Sequence, residues 1–179
     1  MSPRLTEQKT ARHPGCRATN TTRERCVAEI GEWIDRLEIR DVLERYNRYN
    51  DDGDAAGLAS LFHVDATFQI AGQVHEGREA IGALFRGAFP DARPHWTEEG
   101  HAFDPPRTLH LSANPVIDLD GDRATAEMDF QVVCRNAEGR SIIRLLGRFR
   151  DRLRRGGDGA WLIESRTVVP VERPAESAG

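Results

Sequence analysis

The feature that most constrains this chain is a change of periodicity near Pro106. Beyond it lie four long segments in which polar and apolar residues alternate, the period of strands with one buried face. Three turn sequences divide them: Asp120-Gly121-Asp122, Asn136 to Gly139, and Gly156-Gly157-Asp158-Gly159. Such Asn, Asp and Gly clusters supply the backbone angles that tight antiparallel connections need. The alternation predicts strands at about 108–118, 122–135, 141–154 and 160–170, each long enough for a strongly curved sheet.

Before Pro106 the period is helical. Ile30, Trp33, Ile34 and Leu37, followed by Ile39, Val42, Leu43, Tyr46 and Tyr49, read as one amphipathic helix over about 28–50 that stops near Asp51 to Gly53. Asp54 can cap a second short helix through Leu58, Leu61 and Phe62, and Gly77-Arg78-Glu79-Ala80-Ile81 opens a third running to about Ala88. Between them, Ala66 to Ala71 and Gln73 to His75 predict a short hairpin. Helices first and a run of strands afterwards is the α+β order, which disfavours a parallel βαβ sheet. At 179 residues, one domain with one core suffices.

Composition narrows the partners. With 30% charged and 39% hydrophobic residues the chain is neither a disordered nor a membrane sequence. A net charge of −4 gives no long-range attraction to nucleic acid or acidic lipid, so a small molecule is the easier partner. Cys16, Cys26 and Cys134 lack the spacing of a metal or redox site and do not form a disulfide framework, which predicts a reducing, cytoplasmic setting. Residues 1–27, polar and interrupted by Pro3, Pro14 and Gly15, predict a disordered tail, and residues 171–179 a second, loose one, leaving a domain over 28–170. His95, His101 and Glu98 or Glu99 lie in the loop 90–107, but their spacing fixes no ligand set, and a lid over a cavity mouth is the better reading. The Arg148 to Arg154 run alternates with Phe149, Asp151 and Leu153, as a solvated strand face does.

Two places could carry chemistry. In the strand opening at Thr108, alternation sets His110, Ser112 and Asn114 on one face and Leu109, Leu111 and Ala113 on the other. A polar file opposite an apolar one ordinarily marks a solvent face. In a curved sheet closed by helices, however, the same file can point into a pocket and supply a base and hydrogen-bonding groups. The long helix offers Tyr46, Asn50 and Asp51. Tyr46 and Asn50 share a face, whereas Asp51 lies roughly 140° from Tyr46, so both reach one cavity only if the helix frays at Asp51. Taken alone, Asp51 and Asp52 read as helix-stop residues.

The segment Ile39-Arg40-Asp41-Val42-Leu43-Glu44-Arg45-Tyr46, followed by Asp51 and Leu58-Ala59-Ser60-Leu61-Phe62, resembles the opening of SnoaL-like, nuclear transport factor 2-like proteins. So do Gly77-Arg78-Glu79-Ala80-Ile81, Thr108-Leu109-His110 with Asn114, Gly121-Asp122, and Gly147-Arg148-Phe149 with Asp151, in that order over about 30–169. The resemblance implies a cone-shaped α+β barrel, with N-terminal helices packed on a curved antiparallel sheet around one small-molecule cavity. The nearest pattern is the branch of scytalone dehydratase, hexachlorocyclohexane dehydrochlorinase and the bile-acid dehydratase. That branch implies an Asp51–His110 dyad assisted by Tyr46; Asn114, Ser112 and Trp96 are the expected substrate contacts. It implies elimination of water, isomerisation or ring closure without metal or other cofactor. The expected partners are a small hydrophobic or polycyclic substrate and further copies of the chain, as a dimer or trimer, with neither nucleic acid nor membrane. The same fold also serves binding modules and assembly subunits. An enzyme should place Asp51 within hydrogen-bond reach of His110 inside a closed pocket, a binding module need only show the pocket, and a partner subunit should crowd apolar residues on the outer face of its sheet.

Overall fold

The computed structural model describes residues 20–88 and 108–171, with side chains from residue 28 onward. Trp96, the other loop residues considered above and most of both expected tails lie outside the described residues. The elements are α1 (Asn20–Asp52), α2 (Ala55–Ser60), β1 (Phe62–Ile70), β2 (Gln73–Glu76), α3 (Arg78–Ala88), β3 (Thr108–Asp120), β4 (Arg123–Arg135), β5 (Ser141–Arg155) and β6 (Trp161–Pro170). Helix α1 starts at Asn20, eight residues before the expected Ala28, and continues through Asp52 without fraying. Asp54 caps α2 by accepting from the Gly57 amide at 2.8 Å, but Phe62 opens β1 instead of extending that helix.

The six strands form one sheet in the order β2-β1-β6-β5-β4-β3. Strands β3 to β6 make the expected antiparallel meander, while β1 pairs antiparallel with β2 and parallel with β6. The sheet is therefore mixed rather than wholly antiparallel. Strand β2 occupies one edge of β1, leaving the other for the last strand of the meander. The Ile163 amide donates to Leu61 O at 2.9 Å where the chain leaves α2, fixing that pairing as a parallel one. The sheet is curved and unclosed, with β2 and β3 as its edges, and the helices cover its inner face, the cone-like α+β arrangement of nuclear transport factor 2-like proteins.

The core lies between that inner face and the helices. Ala126, Met128 and Phe130 of β4, Phe149 and Leu153 of β5, and Trp161 and Ile163 of β6 meet Ile39, Leu43 and Tyr46 of α1, with Phe62, Phe68, Ile81 and Phe85 completing it. Each Leu, Ile, Met or Phe side chain among them contributes about 1.5–3 kcal/mol when removed from water. The Phe130 and Phe149 rings stack with centroids 4.1 Å apart. Gly147, opposite Phe130, makes the stack possible, because a Cβ there would lie 2.6 Å from a Phe130 ring carbon and 2.6 Å from Val169 O.

Helix α1 does not have a single apolar face. Ile39, Leu43 and Tyr46 are buried, whereas Ile30, Trp33, Ile34 and Leu37 are 59%, 69%, 50% and 64% exposed. With about 100° between successive residues, the first four point nearly opposite to the last three. The phase breaks at the step of two from Leu37 to Ile39. The helix meets the body at Asp35, whose carboxylate accepts from Arg155 and, at 3.3 Å, from Trp161 Nε1, and at Arg36, which donates to Ile117 O.

Candidate functional site

The C-terminal turns of α1 lie against β3, an edge strand paired with β4 on one side only. The backbone amide of His110 on the free edge therefore needs a partner from elsewhere. Asp51 supplies it, its two carboxylate oxygens lying 3.1 and 3.0 Å from that amide. The same carboxylate lies 2.6 Å from His110 Nδ1, and the two side chains are only 8% and 13% exposed. With Nδ1–H donating to Asp51, Nε2 carries the lone pair. In that tautomer Asn50 Nδ2, at 3.3 Å, donates to it.

This pair borders an open groove of about 330 Å³, to which α1 contributes Glu44, Asn47, Arg48 and Asp51 and β3 the stretch Leu109 to Ser112. Asn47 donates to the Ser112 hydroxyl. Asn47 is itself buried, and its Oδ1 has no hydrogen-bond partner among the described residues. The groove thus combines an oriented imidazole and a hydroxyl on two rigid elements. It lies between helix and sheet edge, and not deep inside the cone as a closed pocket would.

Tyr46 is placed elsewhere. Because α1 stays helical through Asp52, the angular separation from Asp51 persists, and Tyr46 points into the core. Its ring meets those of Phe149, Phe62, Phe85 and Phe68 at centroid distances of 5.6, 6.1, 6.1 and 6.5 Å. The guanidinium of Arg166 sits 3.9 Å above the ring. Burial pushes the phenol up to about 12, against the opposing pull of Arg166, which also hydrogen-bonds it. Arg166 in turn makes a bidentate pair with Asp151 at 2.7 and 2.9 Å, both side chains fully buried, while its Nη1 has no partner among the described residues.

Asn114 also leaves the groove. It adopts φ 55° at an irregularity between Ala113 and Val116, is exposed, and hydrogen-bonds Asp129 on the outer face. Pro115 has no amide to donate to the β3–β4 ladder, so the strand bulges there and the alternation that grouped Asn114 with His110 and Ser112 is lost. Of the residues singled out from sequence, the structure brings together Asp51, His110 and Ser112, and it separates Tyr46 and Asn114 from them. Asn47 and Arg166 were not among them. Asn47 could have been found one turn before Asp51 on the same helix side, whereas nothing in the sequence distinguishes Arg166 from the other arginines. Among the described residues no group of His, Cys, Asp or Glu is arranged to hold a metal ion, and no helix is long and apolar enough to cross a membrane.

Comparison with known proteins places this geometry in a family. The model of the SnoaL-like domain matches residues 31–167. No protein of curated function matches the sequence. Among solved structures, a protein of unknown function from Mycobacterium tuberculosis superposes with a TM-score of 0.68 at 26% identity, covering 83% of this chain and 79% of that one. A nuclear transport factor 2-like protein with a cystatin-like fold from Novosphingobium aromaticivorans gives 0.69 at 24% identity, over 89% of this chain and 94% of that one. The beta subunit of a proposed aromatic-ring-hydroxylating dioxygenase from the same organism gives 0.62 at 20% identity, over 82% of this chain and 95% of that one. The last two likenesses show the fold alone, but the domain match spans most of the chain, and the chain belongs to the SnoaL-like domain family.

Proposed function

We propose that the groove between α1 and β3 is the active site of a cofactor-independent enzyme acting on a small hydrophobic or polycyclic molecule, with His110 as general base and Asp51 as its orienting partner. The observation that carries this reading is the 2.6 Å contact between Asp51 and Nδ1, which leaves Nε2 basic and directed at the Asn50 amide. A substrate entering the groove displaces that amide, and Nε2 removes a proton from a carbon beside an activating carbonyl or aromatic ring. Asp51 stabilises the imidazolium so formed. Loss of a β-hydroxyl as water, with return of the proton from His110, completes a dehydration; return of the proton to a different carbon completes an isomerisation. The Ser112 hydroxyl, held by Asn47, contacts a substrate oxygen or hydroxyl group. Tyr46, seated among four phenylalanines and Arg166, supports the core rather than the groove and moves no proton in this reaction.

The experiment is turnover of a panel of β-hydroxy ketones and hydroxylated aromatic ketones. His110→Ala should abolish elimination, and Asp51→Asn should reduce it by about 10⁴-fold, since an amide can neither fix the tautomer nor stabilise the cation to the same degree. Asp51→Asn turning over at the wild-type rate would remove the dyad. A second reading, a binding module or a partner subunit, is favoured by the openness of the groove and by apolar residues on the outer sheet face. It predicts ligands that raise the melting temperature equally in wild type and His110→Ala, with no product formed.

A further inference from the structure

Asn50 and Asp51 hold the two nitrogens of one imidazole. Successive residues of a helix diverge by about 100°, so these neighbours at the end of α1 reach the ring from different sides. The Asp51 carboxylate lies 2.6 Å from Nδ1 and the Asn50 amide nitrogen 3.3 Å from Nε2. With Nδ1–H donating to Asp51, Nε2 can only accept, so the amide turns an N–H toward it. The other N–H of that amide has no partner among the described residues. Asn50 continues the buried side of α1, four residues after Tyr46 and seven after Leu43, and is half-buried where that side meets His110. On the sheet, His110 stands opposite Val132 and Val132 opposite Leu145. Val132 extends the inward file of Met128 and Phe130, and Leu145, its partner on β5, is 37% exposed. The imidazole thus has a neutral donor at its basic nitrogen and an apolar strand surface beside it.

We propose that Asn50 is the oxyanion-stabilising residue of this site, and that the substrate is a neutral β-hydroxy ketone whose carbon skeleton lies on Val132 and Leu145. The inference rests on the reading of His110 as general base and adds a second group that touches the substrate. A carbonyl oxygen entering beside Nε2 takes over the Asn50 N–H that Nε2 had accepted. The carbon next to that carbonyl then lies at the freed lone pair. As Nε2 takes the α-proton, the C–H electron pair becomes the C=C bond of an enolate and the carbonyl π pair moves onto oxygen, where the Asn50 amide meets the growing charge. When the carbonyl re-forms, the enolate electrons make the new C=C bond and the β-hydroxyl leaves. It takes the proton back from the His110 imidazolium and departs as water, and the unsaturated ketone remains. Charge selects the substrate class. Enolisation gives a ketone one negative charge, but would give a carboxylate a second one, which a neutral amide cannot pair in a half-buried site.

Steady-state kinetics on the β-hydroxy ketones, with Asn50 and His110 variants side by side, test it. Asn50→Ala should lower kcat by about 10²–10³-fold, the loss of one oxyanion donor, with KM nearly unchanged and circular dichroism as in wild type. Asn50→Asp, equal in size but charged, should lose at least as much, because it repels the enolate oxygen. A second arm needs no turnover. The 4-nitrophenolate anion mimics the enolate oxygen and its colour reports its ionisation, while 4-nitroanisole has a similar outline without the charge. Wild type should bind the phenolate, and Asn50→Ala should bind it about 10–100-fold more weakly, as for a hydrogen bond to a charged group, with 4-nitroanisole bound equally by both. If His110→Ala retains turnover, the general-base reading falls and this inference with it. If His110→Ala is inactive while Asn50→Ala or Asn50→Asp keeps the wild-type kcat, the Asn50 assignment alone falls. Phenolate bound equally by wild type and Asn50→Ala, or by neither, overturns that assignment even when no ketone is consumed.

Discussion

Replacing Asp151 by Asn removes the only carboxylate paired with Arg166 among the described residues and leaves a guanidinium enclosed by protein. Both side chains of the pair are inaccessible to solvent, and the two nitrogen–oxygen contacts are 2.7 and 2.9 Å. The Tyr46 and Phe149 rings, 3.9 and 4.4 Å from the guanidinium carbon, and the Tyr46 hydroxyl that Arg166 hydrogen-bonds offer the cation some compensation but no counter-charge. Breaking a buried pair from one side costs about 3–5 kcal/mol, chiefly the expense of an uncompensated charge. Against a total stability of roughly 5–15 kcal/mol this is a large fraction. For a chain of this length it corresponds to a fall of about 6–20 °C in melting temperature. Urea unfolding followed by tryptophan fluorescence measures it. The double replacement Asp151→Leu with Arg166→Met should recover most of the loss, because no charge is then buried. A single variant within about 1 kcal/mol of wild type, on the scale of a solvent-exposed pair, would show that water reaches Arg166 and would refute the reasoning.

The buried phenol makes stability sensitive to alkali. Since burial raises Tyr46 from 10.0 to about 12, its stabilising contribution is fully present below pH 10 and is lost as pH climbs toward 12, where the unfolded chain already carries the phenolate. Tyr46→Phe should therefore flatten the decline in unfolding free energy between about pH 10 and 12, measured by denaturant titration, and an unchanged slope would assign that decline to other groups. Gly147→Ala should destabilise by about 1–3 kcal/mol through overpacking against Phe130 and the Val169 carbonyl, which cannot both retreat; thermal melting checks it, and a neutral result would mean that the aromatic stack has room to slide.

The meander was legible because its turns declare themselves chemically. Gly121, Gly139 and Gly159 all take positive φ at the ends of alternating runs, and the strands they join fall within a few residues of the expected limits. Pairing between distant segments left no comparable mark. Nothing local to Phe62–Ile70 says that its second neighbour will be β6 rather than another hairpin partner. Bulges hid part of the site for a related reason, since one extra residue reverses which side chains face inward. In β6 the register shifts between Ile163 and Ser165. Trp161 and Ile163 are then joined inside by Arg166, which strict alternation assigns to solvent. Asn114 was misplaced in the same way, although Pro115 beside it was the visible warning.

In helix α1 the local signal is present in the sequence, but a single stripe drawn over the whole helix hides it. Steps of three and four hold within Ile30–Leu37 and again within Ile39–Tyr46, but the single step of two between them rotates the apolar direction by about 200°. A helix with one core needs one stripe. Two stripes on opposite sides mean two different environments along its length. The second stripe meets the sheet and sets Asp51 against His110 one turn after Tyr46 enters the core. The first faces away from the body, beyond the point where Asp35 ties the helix to Arg155 and Trp161. Packing on the sheet therefore accounts for the second half of α1 and for the position of the candidate site. It does not account for the exposed Ile30, Trp33, Ile34 and Leu37, so removing residues before Asp35 should leave the Asp51–His110 geometry in place.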